Sequence, residues 1–335
     1  MASKPSIGGQ ALIEGVMMRG PRSWAIAVRK PNQEIVTEAH ALPGHPDRRP
    51  FLKWPLIRGV YVLVESLQIG FRALMISAGH AMDEEEEKPT EKQLGWTMVA
   101  ALIFFAGIFI VLPALAIKFS GRWMGIEDPF LQNLAEGLLR IGMFVGYILL
   151  ISLMKDIRRV FQYHGAEHKT IYAYENDDPL EPEIVDRYST LHVRCGTNFL
   201  FIVLSLTILA HLVMDLLLPP SIPLKLAARV AAIPLLAGLA YEVIKAASKK
   251  EDSKVLKVLS LPGLGLQKIT TRPPTPDQIE VAIAAMESVI AREKLAEPAE
   301  AAAVVEANPE PATNNELVPA PLPEPEAGAA SASPL

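Results

Sequence analysis

The sequence is short of cysteine, of net charge and of repeats, and each shortage removes a class of protein. Cys195 is the one cysteine in 335 residues, so no intramolecular disulfide can form and the fold does not depend on an oxidising compartment. The formal net charge is only -5 and no basic domain stands out, which argues against a nucleic-acid partner. The first residues carry a single lysine and a short apolar stretch broken by Glu14 and glycines, which is not the layout of a secretory signal peptide. The glycines of GGQALIEGVMMRG lack the Gly-Lys-Ser/Thr ending of a phosphate-binding loop and the strand-then-helix setting of a dinucleotide fingerprint. They are expected to serve tight turns, with Glu14 and Arg19 forming a local ion pair or contacting a ligand.

Apolar surface is what the chain has in quantity. Half of it is hydrophobic and its mean hydropathy is +0.25, and the excess sits in long runs rather than in amphipathic stripes. Four stretches reach the roughly 20 apolar residues that a bilayer crossing needs: 95–118, 138–154, 197–218 and 223–246. The link LLLPPSIPLK is too short for a domain and its prolines end helices, so the last two form a hairpin. His211 and Asp215 fall toward the far end of the third. Residues 54–78 are apolar and helical in period, but Arg58, Glu65 and Arg72 recur every seven residues on nearly one face. A charge at mid-bilayer costs about 2.5–3.5 kcal/mol, so this helix is expected at the membrane interface or against other helices, not as a span.

Lysine and arginine gather before the first span, between the second and third, and after the fourth, while the opposite connections hold little beyond Lys118, Arg122 and Lys225. With four spans all three basic segments fall on one side, the cytoplasmic one by charge bias. The expectation is therefore a multi-pass α-helical protein of the plasma membrane with both termini cytoplasmic and the lipid bilayer as its partner. Its segments are a cytoplasmic β-hairpin region with the interfacial helix and acidic linker (1–93), spans one and two (94–154), a cytoplasmic loop (155–196), the hairpin of spans three and four (197–246), a turn-rich connector leading to an amphipathic helix (247–296), and a disordered Ala/Pro/Glu tail (297–335). WAIAVRK and EIVTEAH around Pro31-Asn32 read as the β-hairpin. Thr275, Pro276 and Gln278 form the capping box of the amphipathic helix.

Chemistry concentrates in the 155–196 segment. HGAEH places His164 and His168 four apart, on one face if helical, with Glu167 one residue before the second. This His-x-x-Glu-His order matches the inverted zinc-peptidase motif, in which two histidines hold the metal and the carboxylate takes a proton from water. His192 and Cys195 stand at the end of the same segment, and the four residues together suit a tetrahedral zinc ion. Four protein ligands make a closed structural site, whereas catalysis wants three. Glu242, near the cytoplasmic end of span four, is the alternative distant ligand. The plainer alternative is that the histidines pair with the acidic residues of the loop.

GGQALIEGVMMRGP (8–21), YHGAEHKTIYAYE (163–175), HVRCGTNFL (192–200) and GLQKITTRPPTPDQIEVAIAA (265–285) together resemble the bacterial YqhQ-like family, the domain of unknown function 1385, described as predicted metal-dependent membrane enzymes. The resemblance implies a multi-span protein with a metal site at His164 and His168, joined by Glu167, His192 and Cys195; it names no substrate. The leading expectation is thus a membrane metalloprotein acting as a zinc-dependent hydrolase at the cytoplasmic surface, with Glu167 as general base. The alternative is a noncatalytic scaffold or transport component stapled by a structural metal. Nothing in the sequence names a protein partner.

Overall fold

A computed structural model describes residues 4–42, 54–82, 90–124, 128–219, 221–249 and 254–307. It is mostly helical, with one small sheet at the N-terminus. The chain divides into Met1–Lys294 and a C-terminal unit, Leu295–Leu335. In the latter, residues to Ala307 are helical, so the first eleven residues of the expected disordered tail, 297–307, form helix instead. Alanine and glutamate are strong helix formers and need no core to favour that state locally. The remainder of that tail lies outside the described residues, as does the acidic linker at 83–89.

Strands β1 (Gly8–Leu12), β2 (Gly15–Arg19), β3 (Ser23–Arg29) and β4 (Ile35–Ala41) form an antiparallel meander in the order β1-β2-β3-β4. The expected hairpin is β3–β4; β1 and β2 extend it. The turn at Ile13 and Glu14 reverses the chain with Glu14 at φ 51°, without the Asn-Gly or Asp-Gly pair that marks such turns in a sequence. β2 and β3 are buried almost throughout because both sheet faces are covered. Val16, Met18, Ala25 and Ala27 pack against helices α5 (Lys155–Glu175) and α10 (Pro276–Ala307), while Leu12, Met17, Trp24, Ile26 and Val28 pack against Ile69 and Ala73 of α1 (Ile57–Ala81).

Four helices are long and apolar enough to cross a membrane: Ile57–Ala81, Phe130–Ile151, Gly196–Met214 and Ala227–Ala246. Three coincide with expected spans; the stretch at 95–118 is helical as α2 (Glu91–Ala106), a π-helical turn (Gly107–Val111) and α3 (Leu112–Met124), with a shorter apolar run at Gly95–Phe109. By length and composition α1 thus joins the candidates from which the sequence reading left it out. Its three charged residues all have partners: Arg58 donates to both oxygens of Glu242 (2.7 and 2.6 Å), Glu65 pairs with Arg19, and Arg72 stands over Trp24.

α4 (Pro129–Ile151) begins nine residues before the expected 138, since Asp128 caps it and Pro129 suits its first turn. That brings the buried pair Glu136–Arg140 inside an apolar helix, and the Arg140 Nε–H donates to the Phe109 carbonyl in the π-helical turn (2.8 Å). A π-turn leaves carbonyls off the regular ladder, which is where a guanidinium can reach one. The connector expected to be turn-rich is the helix α9 (Lys254–Thr270), running through Pro262. Gly263 lies so close to Asn198 of α7 (Gly196–Leu217) that a side chain there would collide, so glycine here is spent on helix packing, not on a turn. α8 (Ile222–Lys249) completes the set.

α10 starts where its capping residues predict, with the Thr275 N–H donating to Gln278 Oε1 (2.9 Å). Farther along, Glu293 is buried and accepts from the Arg22 N–H (2.9 Å) and Ser23 Oγ (2.7 Å), tying α10 to the β2–β3 turn. Glu293→Ala strands both donors and is expected to lower stability by about 1–3 kcal/mol, seen as a lower midpoint of thermal unfolding.

Candidate metal centre

The segment expected as a loop is chiefly the regular helix α5, followed by the single turn α6 (Pro182–Val185). α5 is unusual in what it buries. Glu167, His168, Lys169 and Thr170 are all enclosed in its middle, and buried polar groups require partners. Lys169 donates to the Asp186 carboxylate (2.9 Å) and carbonyl, and Thr170 Oγ to the Ala166 carbonyl (2.9 Å).

Gly165 sets the geometry of the rest. A Cβ there would run into the carbonyl of Arg272, which itself is held by an Arg272 N–H to Phe161 carbonyl bond (2.9 Å), and would lie 3.3 Å from Thr190 Cγ2. Only glycine lets α5 come this close to the end of α9 and to the 190 segment. The approach delivers two main-chain carbonyls to two imidazoles: His164 Nδ1 donates to Thr270 O (2.9 Å) and His168 Nδ1 to Thr190 O (2.5 Å). A carbonyl can only accept, so each Nδ1 carries the proton and each neutral ring keeps its lone pair on Nε2. This is the arrangement by which outer partners orient histidine ligands in metal sites.

Both Nε2 atoms turn toward the same sulfur. Cys195 Sγ is 3.1 Å from His164 Nε2, and it accepts from the Thr197 N–H (3.5 Å) as the N-cap of α7. The donor atoms of His164, His168 and Cys195 all lie within 4.8 Å of one another. A tetrahedral zinc with ordinary Zn–N and Zn–S lengths spaces such atoms by roughly 3.3–3.6 Å, within small side-chain rotations of what is observed. His168 Nε2 is buried and has no hydrogen-bond partner, a cost that an ion at this point removes. Burial pushes the His168 imidazole below its ordinary pKa, against a smaller opposing pull from Cys195, and so favours the neutral form that ligates. The residues present therefore fit a thiophilic divalent ion.

The structure does not bring together the other proposed ligands. His192 is buried beside His168, ring centres 5.6 Å apart, but its Nε2 faces Glu175 (3.6 Å) and its Nδ1 accepts from the Arg194 N–H (3.3 Å). Its main chain is fixed by Gln267, which donates to the His192 carbonyl and accepts its N–H, both at 2.8 Å. A closed four-ligand set of the expected kind is thus not assembled. Glu242 is held by Arg58 and belongs to the α1–α8 contact. Glu14 and Arg19 do not pair with each other: Glu14 binds Arg159 and Tyr163 of α5, and Arg19 binds Glu65 and Ser66 of α1. Thr190, Thr270 and Gln267, which orient the histidines, carry no signal in the sequence because main-chain carbonyls and a lone amide have no motif.

Glu167 lies under β1. A Cβ on Gly9 would sit 2.6 Å from its Cγ and 2.8 Å from its Oε1, so the carboxyl is packed against bare main chain. Burial pushes its pKa above the usual carboxylate range, opposed by the nearby His164 and His192.

With these residues placed, the chain can be compared with known proteins. A family model described as "Protein of unknown function (DUF1385)" matches residues 54–292. The chain belongs to this family. Another member is "Uncharacterized protein YqhQ" of Bacillus subtilis (strain 168), 32% identical over 307 residues that make up 88% of this chain and 95% of that protein. The DUF1385 match runs from α1 into α10 and includes HGAEH and Cys195, while the relative's longer alignment extends beyond it. No solved structure matches.

Gly165→Ala is expected to push the Arg272 carbonyl away and misalign both imidazoles, weakening zinc binding by about 10–100-fold. Competition against a chromophoric chelator measures it, and circular dichroism shows whether helix content is kept.

Proposed function

We propose that this DUF1385 protein is an integral membrane metalloprotein whose zinc centre, His164–His168–Cys195, works as a hydrolytic site at the cytoplasmic membrane surface. The carrying observation is the pair of Nδ1–H bonds to main-chain carbonyls, which leaves two lone pairs aimed at one thiol. A divalent ion bound there supplies Lewis acidity and makes water a nucleophile at neutral pH. His164, His168 and Cys195 would hold the ion with three protein donors, the number that catalytic sites use with water as the fourth. Glu167, buried and with its pKa raised, is the group that takes the proton from water and returns it to the leaving atom. Strand β1 above it excludes bulk solvent.

A second reading, a structural metal in a scaffold or transport component, is favoured by the burial of His168 and Cys195. X-ray absorption separates the two: three protein donors plus a light oxygen support the hydrolytic centre, four protein donors the structural one.

The membrane arrangement supporting this reading has four crossings, α2–α3, α4, α7 and α8, with α1 at the cytoplasmic interface. The N-terminal half of α1 packs on the later part of α8, Gly59 against Gly238, while its C-terminal half lies under the sheet, where Ile69 and Ala73 contact it and His80 reaches Glu38 (2.8 Å). Ile57, Val64, Leu67 and Leu74 form its exposed apolar stripe, suited to lipid. Trp54→Cys and Gly79→Cys, each in a Cys195→Ser background, are both expected to react with an impermeant maleimide from the cytoplasmic side only. Labelling from opposite sides overturns the interfacial placement.

For the centre itself, elemental mass spectrometry of protein purified without chelators is expected to find about one zinc per chain. The His164→Ala/His168→Ala double variant loses it, and Glu167→Gln keeps it. No metal in the unaltered protein, even after zinc is added, overturns the proposal.

A further inference from the structure

β1 is an outer strand of the sheet, and no described residue forms a hydrogen bond with the main chain on its free side. In a two-residue hairpin the residues flanking the turn exchange both hydrogen bonds, and the pairing then alternates. With Leu12 opposite Gly15, Gln10 opposite Met17 and Gly8 opposite Arg19, those three β1 residues spend their main-chain groups on β2. Gly9 and Ala11 therefore direct their N–H and C=O away from the sheet. No hydrogen bond from the described residues reaches that side of Gly9 or Ala11. Folded proteins usually blunt such an edge with charge, proline or cover. Here Gly8 and Gly9 are exposed, and no charged residue or proline interrupts the strand.

The position of this edge gives it a use. β1 runs antiparallel to α5, as three contacts along its course show: the Tyr174 hydroxyl donates to the Pro5 carbonyl (3.2 Å), Gly9 rests on Glu167, and Glu14 binds Tyr163 and Arg159. Arg194, one residue before Cys195, donates to Ser6 Oγ (3.1 Å), so the segment that carries the thiol flanks the start of the strand. The open main-chain groups thus run past the HGAEH turn. Gly9 is fixed as glycine by the carboxyl beneath it, which also leaves the main chain unobstructed by a side chain of its own.

We infer that the open edge of β1 docks an extended polypeptide as an added strand, bringing a peptide bond to the centre, so that the substrate class is an unfolded or extended protein segment. Main-chain pairing supplies affinity without regard to side chains. The inference rests on the hydrolytic reading of the centre. In the reaction water adds across the peptide bond: its oxygen bonds to the carbonyl carbon, the C–N bond breaks, and Glu167 carries a proton from water to the departing amine. The products are a carboxylate and a protonated amine, which holds both of the water's protons.

The test uses the full chain in lipid nanodiscs with zinc, and fluorescein-labelled casein, a polypeptide without a fold, as probe. The unaltered protein is expected to bind casein by fluorescence anisotropy. Ala11→Pro removes one outward N–H and no ladder bond, a change that edge strands tolerate, and is expected to weaken casein binding by about tenfold while zinc content stays unchanged. Ala11→Gly, which keeps the N–H, is expected to bind as the unaltered chain does. Hydrogen exchange at the Gly9 and Ala11 amides is expected to slow when casein binds, a readout independent of any variant. Zinc-loaded protein that ignores casein, an Ala11→Pro protein that binds it undiminished, or a chain that instead dimerises through β1 overturns the docking and leaves the metal centre standing. Casein binding at the edge by protein that takes up no zinc even when it is added overturns the metal reading and leaves the docking.

Discussion

The close approach of α5 to the chain leaving α9 is the constraint on which the rest of the centre depends. It exists because position 165 has no side chain, and it sets the Thr270 and Thr190 carbonyls against His164 and His168. Tautomer, ring orientation and the direction of both lone pairs follow from those two bonds. The same helix then has another of its sides occupied by the N-terminal sheet, through Glu14, Gly9 and Pro5. α5 is therefore clamped from two directions, and a helix of low intrinsic apolarity becomes one of the most enclosed parts of the molecule.

The division of labour between layers is clear in the buried residues. One apolar cluster joins the sheet to α5 and α10, a second joins it to α1, and a third, around Phe109, Phe144 and Leu266, lies among the apolar helices. The sheet is thus a spacer between two helical surfaces rather than an appendage. Within the apolar helices Glu136 and Arg140 pair with each other, and one donor of that guanidinium is spent on the Phe109 carbonyl. Removing charges of this kind from water is costly, and such a pair is stable because each partner satisfies the other.

How much of this was legible in the sequence depended on the kind of signal. Long apolar runs and the His-x-x-Glu-His spacing are local, and both led to the right elements: apolar helices at the four expected places, three of them of membrane-crossing length, and two histidines on one helical face. Cys195 was legible as a neighbour of the motif only by its place at the end of the same segment. What escaped was non-local. The partners of Glu14, Arg19 and Glu242 lie 46 to 184 residues away along the chain, and a sequence read locally pairs them with the wrong neighbours. Gly263 reads as a turn signal but serves the packing of α9 against Asn198, and the start of α4 was placed too late because Glu136 and Arg140 look like the outer limit of an apolar run until their pairing is seen.

Cys195 caps α7, so one donor of the candidate centre moves with an apolar helix while the other two move with α5. The cluster is consequently shared between two helices with different surroundings. In the proposed membrane setting, a tilt or vertical shift of α7 would displace the sulfur relative to the imidazoles by a comparable amount. Under the proposed function, the mechanical state of the lipid would thereby be written into the affinity of the centre for its ion.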